Sequence, residues 1–248
     1  MSIIRVKLMG LFFIVTFLTA CQDVERDTSI IDHKVEHDID INKTQSKKTI
    51  EERFLNRDSC DLIIDKVYFK ICYDYSFKSA KSVIYKLEGD LVDELNIKER
   101  PRFYAEPLID EPYRVYSYDY SNSGYDRGHL APDAAFDWSQ ESLEATYSLA
   151  NIVPQDKDVN QHQWVKVEEH ARKEAKLLDE INVLNIVIFS KDSKRIGKDK
   201  IAVAKGFYKV IYNIKKNYKE CFYYENNATL NDNSLYGNRV DCKKALDI

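Results

Sequence analysis

Strand-like segments lie on both sides of two helical segments along this chain, and this order indicates the fold class. Residues 141–149 and 160–179 have the apolar spacing and flanking signals of helices. Runs rich in Ile, Val, Tyr and Phe between polar turns predict strands on both sides of them, at residues 61–64, 68–75, 82–87, 181–189, 201–203, 207–214 and 221–224. Strands, a loop, helices and again strands indicate an α+β fold.

The long segment between the first strands and the helices, residues 99–125, has no regular period. It contains Pro101, Pro107 and Pro112 among scattered tyrosines, which is typical of an ordered loop rather than a linker. Loops of this length inside a domain usually carry function. We therefore expect part of a functional site here.

The N-terminus has the features of an export signal. Arg5 and Lys7 precede an uncharged run that ends in small residues, too short to span a bilayer comfortably. The end of this segment, Leu-Thr-Ala-Cys21, resembles the lipobox of bacterial lipoproteins, in which the cysteine is lipidated. We expect a signal peptide at residues 1–20 and an exported protein, lipid-anchored in the bacterial cell envelope through Cys21. The alternative is an ordinary cleaved signal in which Cys21 is incidental.

Charge is distributed unevenly along the chain. The formal net charge of −4 argues against broad attraction to a polyanion. Residues 22–52 contain nine acidic and five basic residues without apolar periodicity, so we expect a flexible acidic tether at 21–52 and a folded domain at 53–248. Residues 181–220 contain ten Lys or Arg and three acids. This basic stretch is either a solvated sheet surface or a basic flank of a substrate cleft.

Four cysteines remain after Cys21: Cys60, Cys72, Cys221 and Cys242. An even number in an exported chain predicts two disulfides, for which three pairings are possible. Pairing of neighbours in sequence is favoured, because a turn at residues 65–67 would set Cys60 directly opposite Cys72 in a hairpin. The sequence has no Cys-x-x-Cys spacing that would suggest zinc or redox chemistry.

One of the five histidines has neighbours that suggest chemistry. In Asp126-Arg127-Gly128-His129 a potential base lies beside an acid and an arginine, and Gly128 allows close approach of the backbone. A structural histidine is the alternative for a four-residue motif taken alone. The remaining histidines are expected to be solvated: His33 and His37 in the tether, and His162 and His170 on the predicted helix.

The motif has companions further along the chain. Asp126-Arg127-Gly128-His129, the sequence Ser-Leu-Ala-Asn-Ile-Val-Pro-Gln at 148–155, Asn-Gln-His-Gln-Trp at 160–164 and Glu168 together resemble the DNA/RNA non-specific endonuclease family. The resemblance covers roughly residues 80–212. It implies an antiparallel central sheet with helices packed on it, a ββα-metal active-site motif, and cleavage of DNA and RNA.

The spacing on the predicted helix is consistent with a site. Asn160, Trp164, Glu168 and Arg172 recur every four residues, so they lie along one slowly drifting ridge. The alternative is a surface ion pair between Glu168 and Arg172 beside a core tryptophan. That alternative does not account for Asn160 or for its distance from His129.

The family resemblance implies a role for each candidate residue. His129 would be the general base that takes a proton from water. Asn160 would be the one direct protein ligand to a divalent cation, Mg2+, with Mn2+ or another divalent ion as the alternative. The other candidates are Glu168 beside the cation, Arg127, Arg172 and Arg102 as phosphate contacts, and Asn151 as a residue that holds the site together. Arg102 is preferred to Arg100, and His162 could alter the metal preference or point outward.

Two other functions remain open from the sequence. A non-catalytic envelope lipoprotein could bind nucleic acid through lysines and tyrosines. A metal-dependent phosphodiesterase or phosphatase could act on small exported substrates. Cleavage of circular DNA and RNA distinguishes both from a nuclease.

Overall fold

A six-stranded antiparallel sheet organises residues 48–247, the part of the chain that the computed structural model describes. The strands of the structure are, in chain order, β1 (Leu62–Asp65), β2 (Phe69–Asp74), β3 (Ser79–Glu88), β4 (Asp126–His129), β5 (Ile152–Gln155), β6 (Glu180–Ile188), β7 (Arg195–Ile196), β8 (Ile201–Ala202), β9 (Gly206–Asn213) and β10 (Tyr218–Glu225). The helices are α1 (Ile50–Phe54), α2 (Gln140–Thr146), α3 (Trp164–Leu178) and α4 (Cys242–Leu246).

The strand order in the main sheet is β1-β2-β3-β6-β9-β10. Two short antiparallel ladders, β4–β5 and β7–β8, lie outside it. The predicted α+β fold with an antiparallel central sheet is therefore confirmed.

Successive side chains of each strand point to opposite sides of the sheet. Both sides carry apolar residues, and helices cover both. Tyr85 and Val183 belong to the larger apolar cluster, which includes the buried side chains of α3. Ile84 and Leu184 belong to a second cluster, against which α1 and α4 pack. Since both faces are covered, the strands are apolar in long runs, which is the signal that predicted them from the sequence.

Several boundaries differ from those predicted. Helix α1 begins at Ile50, before the domain boundary expected at residue 53, and its Ile50 and Phe54 pack against the second apolar cluster. Helix α2 ends at Thr146 rather than at residue 149. The predicted helix 160–179 divides into a π-helical turn, Val159–Gln163, and α3. Strands β4, β5 and β7 and helices α1 and α4 had no counterpart in the prediction.

Both disulfides join neighbouring cysteines, Cys60 with Cys72 and Cys221 with Cys242. The favoured pairing is therefore correct, but its geometric reason is not. Ile63, not Cys60, lies opposite Cys72 in the β1–β2 ladder. Cys60 precedes β1, where the chain turns back over the strand end and brings the two Cα atoms to 5.1 Å.

The expected signal peptide, Cys21, His33, His37 and most of the expected tether lie outside the described residues. Within residues 48–247, no helix is long and apolar enough to cross a membrane.

Candidate active site

The β4–β5 ladder presents the Asp-Arg-Gly-His motif as a short strand. Gly128 lies opposite Val153, and Asp126 lies opposite Gln155. A Cβ atom on residue 128 would lie 2.1 Å from Oε1 of the buried Gln155 side chain. The glycine of the motif is therefore required by packing between the two strands.

His129, the last residue of β4, is held between aromatic rings. Its ring centroid lies 5.5 Å from that of Phe103 and 5.1 Å from that of Tyr147. Its Nε2 is shielded from solvent and has no hydrogen-bond partner among the described residues. Burial lowers the pKa of the imidazole from 6.5 to about 4, with Asp133 opposing the shift and Arg100 adding to it. The ring is consequently neutral near pH 7, with an uncommitted nitrogen.

Two buried amides fix the chain that follows His129. The Asn151 side chain accepts from the Ala131 N–H and donates to the Ala131 carbonyl, both at 2.9 Å. It also donates to the Thr146 carbonyl at 2.9 Å. Asn185 on β6 donates to the Leu130 carbonyl at 2.7 Å. Asn151 thus lies where it stabilises the site without reaching into it.

Asn160 lies in the π-helical turn and faces the first residue of the motif. Its Nδ2 donates to the Asp126 carboxylate at 3.1 Å, and Gln161 Nε2 donates to the same oxygen at 2.7 Å. Because Asp126 engages the nitrogen of the Asn160 amide, the amide oxygen is the atom left to bind a cation. A neutral oxygen donor of this kind suits Mg2+, which retains most of its waters. Residues 48–247 contain no group of three or more His, Cys, Asp or Glu side chains placed to hold a metal.

A buried lysine that was not among the predicted site residues lies under the helix that carries Glu168. Lys209 on β9 is fully buried, with Nζ 4.4 Å from the Trp164 ring centroid and 3.4 Å from the Tyr85 hydroxyl. Burial raises the pKa of Glu168 to about 7, and the positive charges of Lys209 and Arg172 oppose the shift. Burial lowers the pKa of Lys209 to about 8, against the influence of Glu168. The signal that could have identified Lys209 is a single lysine inside an otherwise apolar strand.

The arginines considered for phosphate binding lie in different environments. Arg127 donates from Nη2 to the Ser117 carbonyl at 2.7 Å, and its buried Nε has no partner among the described residues. Arg172 is half-buried, and its charge acts on Glu168. Arg102 is exposed, next to the Phe103 ring that contacts His129. Arg100 is paired with Asp133 at 3.2 Å and with Asp137 at 3.1 Å.

The two histidines of the predicted helix have different environments. The His162 side chain is 68% exposed and points outward, 3.7 Å from Asp158. His170 is 9% exposed, with Nε2 2.6 Å from the Glu220 carboxylate. The expectation that His170 is solvated was wrong, because β10 and the C-terminal segment cover that face of α3.

The fold has counterparts among solved structures. A crystal structure of a complex of EndoG with EndoGI matches with a TM-score of 0.68 and 22% identity, covering 81% of this chain and 89% of the other. That crystal structure concerns the mechanism of EndoG inhibition, and the likeness establishes a shared fold. By architecture, this chain is thus of the class of α+β proteins that includes EndoG.

The sequence comparisons define the family. The family model for DNA/RNA non-specific endonucleases matches residues 45–245, so the chain belongs to that family, as the motif resemblance predicted. Mitochondrial endonuclease G of Bos taurus is 29% identical over 153 residues, 58% of this chain and 51% of that protein. Mitochondrial nuclease EXOG of Homo sapiens is 32% identical over 136 residues, 51% of this chain and 36% of that protein. Aligned segments therefore span about half or less of these relatives.

Proposed function

We propose that this chain is a divalent-metal-dependent endonuclease that hydrolyses the phosphodiester bonds of both DNA and RNA. The observation that carries the proposal is the His129 imidazole, which is neutral and has an unpartnered Nε2. It lies on the short strand whose Asp126 orients Asn160. Membership of the endonuclease family supports the same reaction class.

His129 acts as the general base. Its neutral Nε2 accepts the proton of the attacking water, and the positive charge that develops needs stabilisation in a buried setting. A phosphate bound nearby supplies negative charge and raises the imidazole pKa from its value of about 4 in the free protein. The base therefore becomes stronger when substrate is bound.

Asn160 would hold the cation through its amide oxygen, and Glu168 would orient the waters around it. When bound, such a cation stabilises negative charge on the phosphate and on the leaving oxygen. Arg127, Arg172 and Arg102 bind phosphate oxygens, for which planar guanidinium groups are well suited. The uncommitted Nε of Arg127 is a donor that such a phosphate can satisfy.

Incubation with circular DNA and with RNA, in Mg2+ and in a chelator, tests the proposal. Wild-type protein is expected to cleave both in Mg2+ only. His129→Ala is expected to reduce the rate by about 10²–10⁴-fold, whereas His162→Ala, at an exposed histidine, is its matched control. Asn160→Ala is expected to weaken activation by Mg2+.

Each contrary outcome has a specific meaning. Near-wild-type cleavage by His129→Ala contradicts the base assignment, and unchanged Mg2+ dependence in Asn160→Ala removes that residue from the metal site. Binding of DNA without any cleavage by wild type would favour a binding protein. Hydrolysis of a small phosphodiester with intact plasmid would favour a small-substrate enzyme.

We also propose that the protein is exported and anchored by a lipid on Cys21. Two disulfides support an oxidising compartment, since such bonds persist there and are rare in the cytosol. Labelled fatty acid should be incorporated by the wild type in a bacterial host and not by Cys21→Ser. Equal labelling of both proteins, or none of either, contradicts the anchor.

A further inference from the structure

The β7–β8 hairpin and the residue before it carry three exposed lysines, with Asp199 between two of them. Lys194, Lys198 and Lys200 are exposed and form no ion pair with any residue of the described part of the chain. Two other lysines of the same basic stretch, Lys215 and Lys216, pair with Glu180 and Asp179. The hairpin lysines are therefore available to bind an anion.

The hairpin lies on the same side of the molecule as the candidate active site. Its Ile196 and Ile201 belong to an apolar cluster with Ile152, the partner of His129 in the β4–β5 ladder. Phe103, which contacts the His129 ring, packs against the same cluster. The hairpin and the motif strand thus share one small core.

Two contacts connect the hairpin to residues that flank the motif. Lys194 Nζ lies 5.1 Å from the ring centroid of Tyr125, the residue that precedes Asp126. The buried Asp119 accepts a hydrogen bond from the Asp199 N–H at 2.9 Å. Asp119 belongs to the 3-10 turn Ser117–Tyr120, whose Ser117 carbonyl accepts from Arg127. The hairpin that carries the lysines is therefore held beside the site.

The backbone of the hairpin is also held tightly. Gly197 has φ +68°, and a Cβ atom there would lie 2.5 Å from Oδ1 of Asp119. Tyr118, 52% exposed and stacked on Tyr116 at 5.3 Å, donates its hydroxyl to Asp199. Lysines beside exposed aromatic rings are the combination that binds nucleic-acid backbones and stacks on bases.

We propose that the β7–β8 hairpin is a nucleic-acid-binding surface that holds the phosphate backbone of the substrate beyond the bond that is cleaved. Lys194, Lys198 and Lys200 bind phosphates, and Tyr118 provides a ring for base stacking. This inference rests on the proposed nuclease function, because it takes the substrate to be a polynucleotide. It also explains how a chain of net charge −4 binds a polyanion.

DNA binding by two matched triple variants tests the inference. Lys194→Gln, Lys198→Gln and Lys200→Gln are combined in one variant, and Lys215→Gln, Lys216→Gln and Lys219→Gln in the control, which has the same net charge. The control residues lie at the far end of β9, a strand of 8 residues and so roughly 26 Å in length. Both are made in the full chain with His129→Ala, so that affinity is measured without cleavage.

The hairpin variant is expected to bind DNA about tenfold more weakly at physiological salt. For this variant, the slope of log affinity against log salt concentration is expected to be smaller in magnitude by about 2 to 3. This is near one for each phosphate that the variant no longer binds. The control is expected to stay within about twofold of its parent. Thermal unfolding of both triple variants should match that of the parent.

Three results would overturn the inference. Equal weakening in both triple variants would mean that net charge alone matters. An unchanged DNA affinity in the hairpin variant would show that the hairpin does not bind DNA. Weaker binding of this variant to anionic lipid vesicles, with DNA binding intact, would assign the lysines to a membrane. A failure of the nuclease proposal is distinguishable, because it appears as absent cleavage by the wild type.

Discussion

Burial of Lys209 predicts a specific dependence of stability on pH. The lysine has a pKa of about 8 in the folded protein against an ordinary value of 10.5. Between these values the unfolded chain binds the proton that the folded protein has released, so the contribution of Lys209 to the free energy of unfolding rises with pH. Replacement by Met, which has a similar length and no charge, should abolish this rise.

The difference in proton affinity sets the size of the effect. A decrease from 10.5 to about 8 corresponds to a penalty of about 3 kcal/mol for keeping the ammonium charged in the folded protein. Between pH 8 and pH 10, about 2 kcal/mol of this penalty is relieved. Tyrosines whose pKa burial raises, Tyr85 and Tyr120 among them, oppose this rise as pH approaches 10, because the folded protein retains their protons. They are present in the wild type and the variants alike, so their effect cancels when the curves are compared.

Loss of Lys209 also acts on Glu168. The lysine is one of the charges that keep the pKa of Glu168 as low as about 7. Without it the carboxyl stays protonated to higher pH in the folded protein than in the unfolded chain, where its pKa is near 4.5. Since that stability is lost as pH rises through the folded pKa, the variant should lose stability relative to the wild type as pH rises above 8.

Urea unfolding from pH 8 to pH 10 measures the effect. A chelator keeps the site free of cations, and a Cys21→Ser background removes the one cysteine that the two disulfides leave over. Lys205→Met, which removes an exposed lysine, is the control, and its stability should follow the wild-type pH dependence. The reasoning is refuted if Lys209→Met also follows the wild-type pH dependence or if Lys205→Met departs from it equally.

Three further changes have expected outcomes in chemical unfolding. Gly128→Ala places a methyl group against the buried Gln155 amide and should cost about 1–3 kcal/mol. Asn151→Ala leaves the Ala131 N–H and two carbonyls without their partner and should cost about 3 kcal/mol. Replacing Cys221 and Cys242 by Ser opens a loop with a sequence separation of 21 and should cost about 3 kcal/mol. A loss below about 0.5 kcal/mol contradicts the respective argument.

Long apolar strands were predictable because each is buried on both faces. The predicted strand 181–189 corresponds to β6, Glu180–Ile188, and the segment 207–214 corresponds to β9, Gly206–Asn213. Burial of this kind leaves a local signal that does not depend on knowing the partner strand. The order of the elements along the chain is also visible without knowledge of the tertiary contacts, and it determined the α+β class.

The active-site strands lacked such a signal. Strand β4 is Asp-Arg-Gly-His, which contains no residue with strong β-preference, and β5 contains Pro154. Each exists because the other lies beside it and because buried amides hold the connecting chain. The residues of the motif were identifiable from the sequence, whereas their conformation depends on tertiary contacts.

The π-helical turn before α3 explains why a ridge predicted for a regular helix still brings Asn160 to the motif. In an α-helix, four residues advance by slightly more than one turn, so each step along the predicted ridge drifts by about 40°. A π-helical turn contains more residues, so the step from Asn160 to Trp164 no longer exceeds a full turn. Asn160 and Gln161 can then both reach the Asp126 carboxylate. No residue type in this segment encodes the extra residue in the turn, which the structure shows together with the two hydrogen bonds to Asp126 and which could therefore not be predicted from the sequence.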